Sequence, residues 1–156
     1  MIIISREKRD KINSKKNIIQ YIFQNLKHLT KKYQIMGKKI LIIDDSESIR
    51  EVVSFTLENA GHEVSKGIDG QDALKFLDGT KYDLIITDLH MPNMDGIEFI
   101  RNARKISEYK FVPILFLTTE SQTAKKMEAK EAGATGWIIK PFVPEKLLAA
   151  INKVVR

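Results

Sequence analysis

The sequence predicts an α/β protein built on a doubly wound, parallel, five-stranded sheet with five helices. Three observations predict this class. Short apolar runs recur five times, at residues 40–43, 62–65, 84–86, 114–117 and 137–139. Most of these runs are apolar at consecutive positions, which is typical of parallel strands covered on both faces. The intervals between them are long enough for crossover helices, and ligands of such sheets bind beyond the carboxyl ends of the strands.

The first interval has the pattern of an amphipathic helix. Apolar residues recur at helical spacing at Ile49, Val52, Val53, Leu57 and Ala60. Ser48 and Glu51 have the spacing of a capping box, and Gly61 is placed to end the helix. The interval therefore predicts one helix that covers a face of the sheet.

The later intervals predict further helices of unequal apolar character. Asp95 and Glu98 repeat the signal for a helix start. The last helix carries an apolar stripe at Leu147, Leu148, Ile151, Val154 and Val155. Residues 121–132 offer mainly Ala124, Met127 and Ala132 as contacts. We therefore expect the fourth helix to pack most loosely.

Composition bounds the class of protein. A chain of 156 residues has room for one sizeable core. It contains no cysteine, which excludes disulfides and thiolate chemistry. No apolar stretch approaches the roughly 18 residues of a transmembrane helix, and no secretory signal is evident. A cytoplasmic protein is expected.

The net charge of +6 comes from the first 37 residues, which carry nine basic and two acidic side chains. Residues 38–156 carry 17 basic and 18 acidic side chains, so the remainder is nearly neutral. The basic leader has apolar residues at helical spacing: Ile19, Ile22, Leu26, Leu29 and Tyr33. It has three interpretations: a helix that docks on an anionic membrane or a partner, a disordered tail, or a start-site artefact with translation beginning at Met36.

Three carboxylates follow two of the predicted strands. Asp44 and Asp45 come after the first strand, and Asp88 after the third. Since parallel strands end at one edge of the sheet, these acids should converge and need a cation or protons. Oxygen ligands favour Mg²⁺, Mn²⁺ or Ca²⁺. Any one acid alone could instead cap the following helix.

A hydroxyl and an ammonium group lie at the ends of two further strands, the fourth and the fifth. Thr118 ends the fourth, and Lys140, followed by Pro141, ends the fifth. With a metal ion they could neutralise and bind the oxygens of a phosphoryl group while a carboxylate acts as nucleophile. The spacing thus favours a site that accepts phosphate.

Four stretches in this order resemble the response-regulator receiver family, closest to single-domain chemotaxis CheY. They are LIIDD at 41–45, DLHMPNMDG at 88–96, PILFLTTE at 113–120 and AGATGWIIKPF at 132–142. The resemblance covers residues 38–156 and implies a flavodoxin-like sheet in the order 2-1-3-4-5.

The resemblance implies roles around the metal. Asp88 is the phosphoacceptor and a metal ligand, Asp45 a direct ligand and Asp44 a ligand acting largely through water. The backbone carbonyl of His90 completes the set. Mg²⁺ is the implied ion, with Mn²⁺ as an alternative.

Further roles follow from the same resemblance. Thr118 and Lys140 bind phosphoryl oxygens, and the bond before Pro141 is cis. Trp137 is the rotating aromatic residue, where tyrosine or phenylalanine is commoner. The side chains of His90 and Glu120 are placed to tune dephosphorylation.

The expected function is a phosphorylation-dependent switch in a two-component system of chemotaxis and flagellar motor control. A CheA-like histidine kinase would donate the phosphoryl group, and the face formed by the fourth helix, the fifth strand and the fifth helix would bind a flagellar motor switch protein or another effector. A phosphatase could also bind. We expect a monomer without DNA binding, since no helix-turn-helix remains, and no enzyme activity beyond self-phosphorylation and autodephosphorylation.

Two alternatives stay open. One is a phosphatase with an aspartyl-phosphate intermediate, although His90 stands where that class has a second acid. The other is a single-domain receiver in a phosphorelay outside chemotaxis.

Overall fold

A computed structural model describes residues 37–155 of the chain. They form one sheet of five parallel strands in the order β2-β1-β3-β4-β5, so the predicted topology is confirmed. The strands are β1 Lys39–Ile43, β2 Glu63–Gly67, β3 Leu84–Thr87, β4 Ile114–Thr118 and β5 Gly136–Ile139. The basic leader lies outside the described residues apart from Gly37, and its three interpretations stay open.

Five α-helices connect or follow the strands. They are α1 Glu47–Asn59, α2 Gly70–Leu74, α3 Gly96–Ala103, α4 Thr123–Ala132 and α5 Pro144–Val154, and a 3-10 turn at Ser107–Tyr109 precedes β4. Asp95 caps α3 as predicted, because its carboxylate accepts the N–H of Glu98 at 2.8 Å. Among the described residues, no helix is long and apolar enough to cross a membrane.

The start of α1 differs from the prediction. The helix is capped by Ser46, whose hydroxyl accepts the N–H of Ile49 at 3.4 Å, and not by Ser48. Glu51 instead forms an ion pair with Lys66 of β2 at 2.8 Å. Val52 is 52% exposed and does not belong to the buried stripe. Both Ser46 and Ser48 are good capping residues, and the backbone path after β1 selects the earlier one.

The contacts predicted for α4 were also partly wrong. Ala124 and Met127 are exposed, Ala132 is half-buried, and Ala129 is the residue that reaches the core. One fully buried alanine gives α4 less apolar burial than α5, where Leu147 and Ile151 are buried. This difference agrees with the expectation that α4 packs most loosely.

Two apolar cores lie on opposite faces of the sheet, since alternate residues of a strand point to opposite sides. Leu41 and Ile43 of β1 pack on the side of α2, α3 and α4, whereas Ile40 and Ile42 pack on the side of α1 and α5. Coverage on both faces explains the continuous apolar runs. Because the strands are parallel, their carboxyl ends lie along one edge of the sheet.

Candidate functional site

The functional side chains predicted from sequence lie at the carboxyl edge of the sheet. Asp44 follows β1, Asp88 follows β3, Thr118 is the last residue of β4 and Lys140 follows β5. In the sheet, β1 and β4 flank β3, and β5 pairs with β4. Parallel pairing therefore brings residues 96 positions apart in sequence into one cluster.

Three carboxylates converge in this cluster. Asp44, Asp45 and Asp88 each place an oxygen within 4.8 Å of the others. Asp44 is buried at 2% exposure, Asp88 is half-buried and Asp45 is exposed. At this separation like charges repel strongly, so the arrangement favours a bound cation or proton uptake.

Lys140 supplies one positive charge to this cluster. Its Nζ donates to Oδ2 of Asp44 at 2.5 Å and to Oδ2 of Asp88 at 3.1 Å. Three carboxylates and one ammonium leave a formal charge of about two negative units, which a divalent cation would balance. The Lys140–Pro141 peptide bond is cis.

Asp44 is the most deeply buried acid of the site. Burial raises the pKa of the Asp44 carboxyl above its ordinary value of 3.8, although hydrogen bonds from Lys140 and from the N–H of Ser46 act in the opposite direction. The Ser46 N–H donates to Oδ1 at 2.9 Å. Asp44 thus holds its charge at a cost, and a metal ion nearby would favour the ionised form.

Asp88 is held at both its side chain and its backbone. Its Oδ1 accepts the N–H of Leu89 at 2.6 Å, and its carbonyl accepts the hydroxyl of Thr87 at 2.9 Å. Gly96 packs against the same carbonyl so closely that a Cβ there would lie 2.2 Å from it. The remaining carboxylate oxygen faces Lys140, in the direction of the acid cluster.

Glu120 joins three of the predicted site residues. Its N–H donates to Oγ1 of Thr118 at 3.2 Å, its Oε2 lies 3.3 Å from Nε2 of His90, and its carbonyl accepts the indole N–H of Trp137 at 2.9 Å. The backbone N–H of Gln122, followed by the contact with His90, holds the pKa of Glu120 below its ordinary value. Glu120 is therefore tied both to the loop that follows Asp88 and to β5.

Trp137 is half-buried and oriented toward the site loops. Its ring lies 4.8 Å from that of Phe116, centroid to centroid, at an interplanar angle of 40°. Nζ of Lys126 lies 5.9 Å from the centre of the same ring. These contacts join α4, β4 and β5 through one aromatic side chain. The indole N–H also donates a hydrogen bond that a phenylalanine at this position could not make.

Sequence reasoning missed two supporting residues. Arg50 of α1 donates from Nη1 to the carbonyl of Asp44 at 2.7 Å, and the buried Thr87 hydroxyl holds the carbonyl of Asp88. Thr87 could have been found, because a hydroxyl stands at the end of an otherwise apolar strand next to Asp88. Nothing in the sequence distinguishes Arg50 from an ordinary exposed helix residue.

Known proteins share this fold. Residues 40–152 match the response regulator receiver domain. The chain therefore belongs to the response regulator receiver family. Chemotaxis protein CheY-3 of Vibrio cholerae is 36% identical over 117 residues, which make up 74% of this chain and 90% of CheY-3. PhoP of Bacillus subtilis, the alkaline phosphatase synthesis transcriptional regulatory protein, is 37% identical over 121 residues and 78% of this chain. The chain spans about half the length of PhoP, since the match covers 50% of it.

Solved structures agree with the assignment of the fold. The chemotaxis protein CheY4 of Vibrio cholerae superposes with a TM-score of 0.74 at 50% identity, covering 76% of this chain and 99% of CheY4. The receiver domain of the sensor histidine kinase PA1611 from Pseudomonas aeruginosa superposes with a TM-score of 0.71 at 26% identity, covering 76% and 97%. That receiver domain has a magnesium ion coordinated in its active-site cleft.

Proposed function

We propose that this chain is a phosphorylation-controlled switch that accepts a phosphoryl group on Asp88 in the presence of Mg²⁺. The observation that carries the proposal is the convergence of Asp44, Asp45 and Asp88 within 4.8 Å, with Lys140 between two of them. A structural ion pair needs one acid and one base. This cluster instead has spare negative charge beside a nucleophile, which suits metal-assisted phosphoryl transfer.

The donor set fits a hard divalent cation. Asp45 and Asp88 are proposed to bind Mg²⁺ directly, Asp44 through water, and the backbone carbonyl of His90 as a further ligand. All of these donors are oxygens, and the exposed side of Asp45 leaves room for the waters that Mg²⁺ keeps. Mn²⁺ prefers the same donors and should substitute. When bound, the ion would neutralise phosphoryl oxygens during transfer.

The proposed transfer is a displacement at phosphorus. An oxygen of Asp88 attacks the phosphorus of a kinase phosphohistidine, the new P–O bond forms as the P–N bond breaks, and the imidazole leaves as the neutral ring. Lys140 and Thr118 would then bind phosphoryl oxygens. In autodephosphorylation water attacks the same phosphorus, inorganic phosphate leaves, and the Asp88 carboxylate is restored. We propose no turnover of other substrates.

The output is proposed to pass through Thr118 and Trp137. Thr118 is fully buried, and its hydroxyl accepts from the N–H of Glu120. Recruiting that hydroxyl to a phosphoryl group would shift the loop on which the Trp137 indole is hydrogen bonded. The face formed by α4, β5 and α5 would change shape with it. A coupling of about 1 to 3 kcal/mol is enough to change partner affinity five- to 150-fold.

We place the switch in chemotaxis, with a CheA-like histidine kinase as donor and a flagellar motor switch protein as target. The similarity to CheY-3 and CheY4 supports this pathway. A phosphorelay outside chemotaxis is the second candidate, because the transcriptional regulator PhoP is as similar in sequence as CheY-3. Co-purification with labelled CheA or motor switch protein, before and after phosphodonor treatment, separates the two.

The decisive experiment is intact-mass analysis. The full chain is treated with acetyl phosphate and Mg²⁺, and the expected result is a mass gain of one phosphoryl group that maps to Asp88. The gain should be absent from Asp88→Asn and from samples treated with chelator. A folded wild type that gains no mass with Mg²⁺ present would overturn the proposal. Continuous hydrolysis of free phosphate esters would instead support the aspartyl-phosphate phosphatase.

A further inference from the structure

A contact between the start of α2 and the loop that follows Asp88 lies beside the site. It takes no part in the proposed phosphoryl transfer. Asp69, the N-cap of α2, is 5% exposed. Its Oδ1 accepts the N–H of Asp72 at 2.7 Å, which is an ordinary capping bond. Its Oδ2 accepts from Nδ2 of Asn93 at 2.6 Å, which is a bond to a different loop. One carboxylate therefore caps a helix and holds the β3–α3 loop.

Asn93 needs such support, because its backbone is unusual. Its φ is +62°, and no other described residue apart from glycines has a positive φ. The N–H of Met94 reaches back to the carbonyl of Pro92 at 2.6 Å, which closes a tight three-residue turn around Asn93. Such turns are strained, and a partner that fixes the side chain stabilises the conformation.

The helix start and the loop also touch through their backbones. The N–H of Gly70 donates to the carbonyl of Met94 at 3.2 Å. A Cβ at Gly70 would lie 2.7 Å from that carbonyl, so only glycine allows the approach. Two hydrogen bonds thus join the start of α2 to the loop: Asn93 donates to Asp69, and Gly70 donates to Met94.

The loop held in this way runs from Asp88 to Gly96. At its two ends Leu89 is buried, and the N–H of Gly96 donates to the carbonyl of Leu89 at 2.9 Å. Between them, the side chain of His90 is 61% exposed and, within residues 37–155, is hydrogen bonded to Glu120 alone, at 3.3 Å. The backbone at His90 therefore takes its position from the buried Leu89, from Met91, which packs partly buried against the core, and from the turn at Asn93.

We infer that Asp69 is a positioning residue for the metal site, because through Asn93 it fixes the loop that presents the His90 carbonyl to the ion. This inference rests on the proposed function, since it requires that the acid cluster binds Mg²⁺. Residues that orient metal ligands without touching the metal typically change affinity 10- to 100-fold when removed. For one backbone carbonyl among several ligands we expect the low end, about tenfold.

The test uses metal affinity, measured from the EPR signal of free Mn²⁺ and by competition with Mg²⁺. Asp69→Ser keeps a good capping hydroxyl but is too short to reach Asn93, so the dissociation constant should rise about tenfold. Asp69→Asn should keep near wild-type affinity, because the amide of Asn93 can turn to accept from it. Asp78→Ser is the matched control, since Asp78 holds a similar local turn with Thr80 away from the site.

A second variant separates positioning from stability. Asn93→Gly removes the side-chain donor but accepts a positive φ without strain, so the urea midpoint should fall only by the cost of the unpaired Asp69 oxygen. Metal affinity, measured on the folded protein, should fall about tenfold. The double variant Asp69→Ser with Asn93→Gly should bind no more weakly than either single variant, because both remove one contact.

The outcomes are distinct. Wild-type affinity in both Asp69→Ser and Asn93→Gly would overturn the positioning role and leave the proposed function intact. Additive losses in the double variant would also overturn it. If the wild type binds neither Mn²⁺ nor Mg²⁺, both the metal site and the positioning role fail together.

Discussion

The two edges of the sheet use charged side chains in different ways. At the amino edge, where the strands begin, two acids each lie against a lysine: Glu63 against Lys39 at 3.0 Å, and Asp83 against Lys38 at 3.3 Å. At the carboxyl edge a single ammonium, that of Lys140, serves both Asp44 and Asp88, while Asp45 adds a third carboxylate. These two amino-edge acids are each matched by a lysine, whereas the three carboxylates at the carboxyl edge have one ammonium among them.

The difference separates charges that serve the fold from charges that serve a ligand. Exposed pairs of one lysine and one carboxylate change the free energy of unfolding little, because water screens them. A partly buried cluster with excess negative charge lowers stability unless something else supplies positive charge. The free energy of unfolding is therefore lowered by the charges at the carboxyl edge and not by those at the amino edge.

The largest effect is expected from Lys140→Met. Its side chain is 11% exposed and that of Asp44 is 3% exposed, so removing the ammonium leaves a buried carboxylate without its partner. The free energy of unfolding in chelator should fall by about 3 kcal/mol, the low end for such pairs because Asp44 can take up a proton. Urea denaturation followed by circular dichroism measures the loss.

The matched variant at the amino edge is Lys39→Met. The Glu63 side chain of that pair is 69% exposed, and we expect no measurable loss of stability. Mg²⁺ should recover part of the loss in Lys140→Met and have no effect on the difference between Lys39→Met and the wild type. Equal losses at both edges would contradict the comparison.

A hydrogen-bonded pair outside the acid cluster also lies at the carboxyl edge, between His90 and Glu120. Under the proposed function these side chains flank the acyl phosphate, where they influence attack by water. His90→Ala and Glu120→Ala should each change the lifetime of phospho-Asp88 by up to about tenfold, which is about 1.4 kcal/mol in the barrier. Phosphorylation itself should persist. Loss of radiolabel after removal of the donor measures the lifetime.

Glu128→Ala is the control for that experiment. Glu128 is also a paired acid, with Lys125 at 2.9 Å and Arg101 at 3.3 Å, but it belongs to α4 away from Asp88. The lifetime of phospho-Asp88 in this variant should equal that in the wild type. Unchanged lifetimes in both His90→Ala and Glu120→Ala would assign that pair to the fold, as at the amino edge.

The two edges should also respond to pH in opposite directions. Burial raises the pKa of Asp44 above 3.8, so the folded state holds that proton more tightly, and stability without metal falls as pH rises from 3.8 through the raised pKa. Burial lowers the pKa of His62, near the amino edge, below 6.5, so stability falls as pH drops through 6.5. Each slope is at most about 1.4 kcal/mol per pH unit.

Asp44→Asn and His62→Gln separate the two contributions. Unfolding free energies in chelator from pH 4 to about 8 should lose the negative slope in the first variant and the positive slope in the second. Nδ1 of His62 is buried without a hydrogen-bond partner, which agrees with a ring that stays neutral in the folded state. Identical pH profiles for wild type and both variants would rule out this assignment.

The sequence predicted the carboxyl edge better than its supports. Apolar runs end sharply before Asp44, Asp88 and Lys140, so strand ends and candidate ligands coincide in the pattern. β2 was predicted at residues 62–65 and lies at Glu63–Gly67, because this edge strand is only partly buried and has mixed polarity. The Asp69–Asn93 bond joins residues 24 positions apart in two loops, and no periodicity indicates such a contact.

The smallest effect is a difference of about 1 kcal/mol between two variants, each of which removes the polar tip of one aromatic residue at one edge. Trp137 donates one hydrogen bond, to the carbonyl of Glu120, from a half-buried position. Tyr109, 1% exposed near the amino edge, makes two through its hydroxyl: it accepts from the N–H of Gly79 at 3.0 Å and donates to the carbonyl of Thr80 at 2.8 Å. Trp137→Phe should therefore lower the free energy of unfolding by about 1 kcal/mol, and Tyr109→Phe by about 2 kcal/mol. The reason is that a buried polar group that loses its partner destabilises the fold more than one that water can reach. Urea denaturation followed by circular dichroism measures both losses. The reverse order would mean that the loop beneath Trp137 depends on its indole N–H more than the amino edge depends on Tyr109, and that the carboxyl edge is the more tightly held of the two.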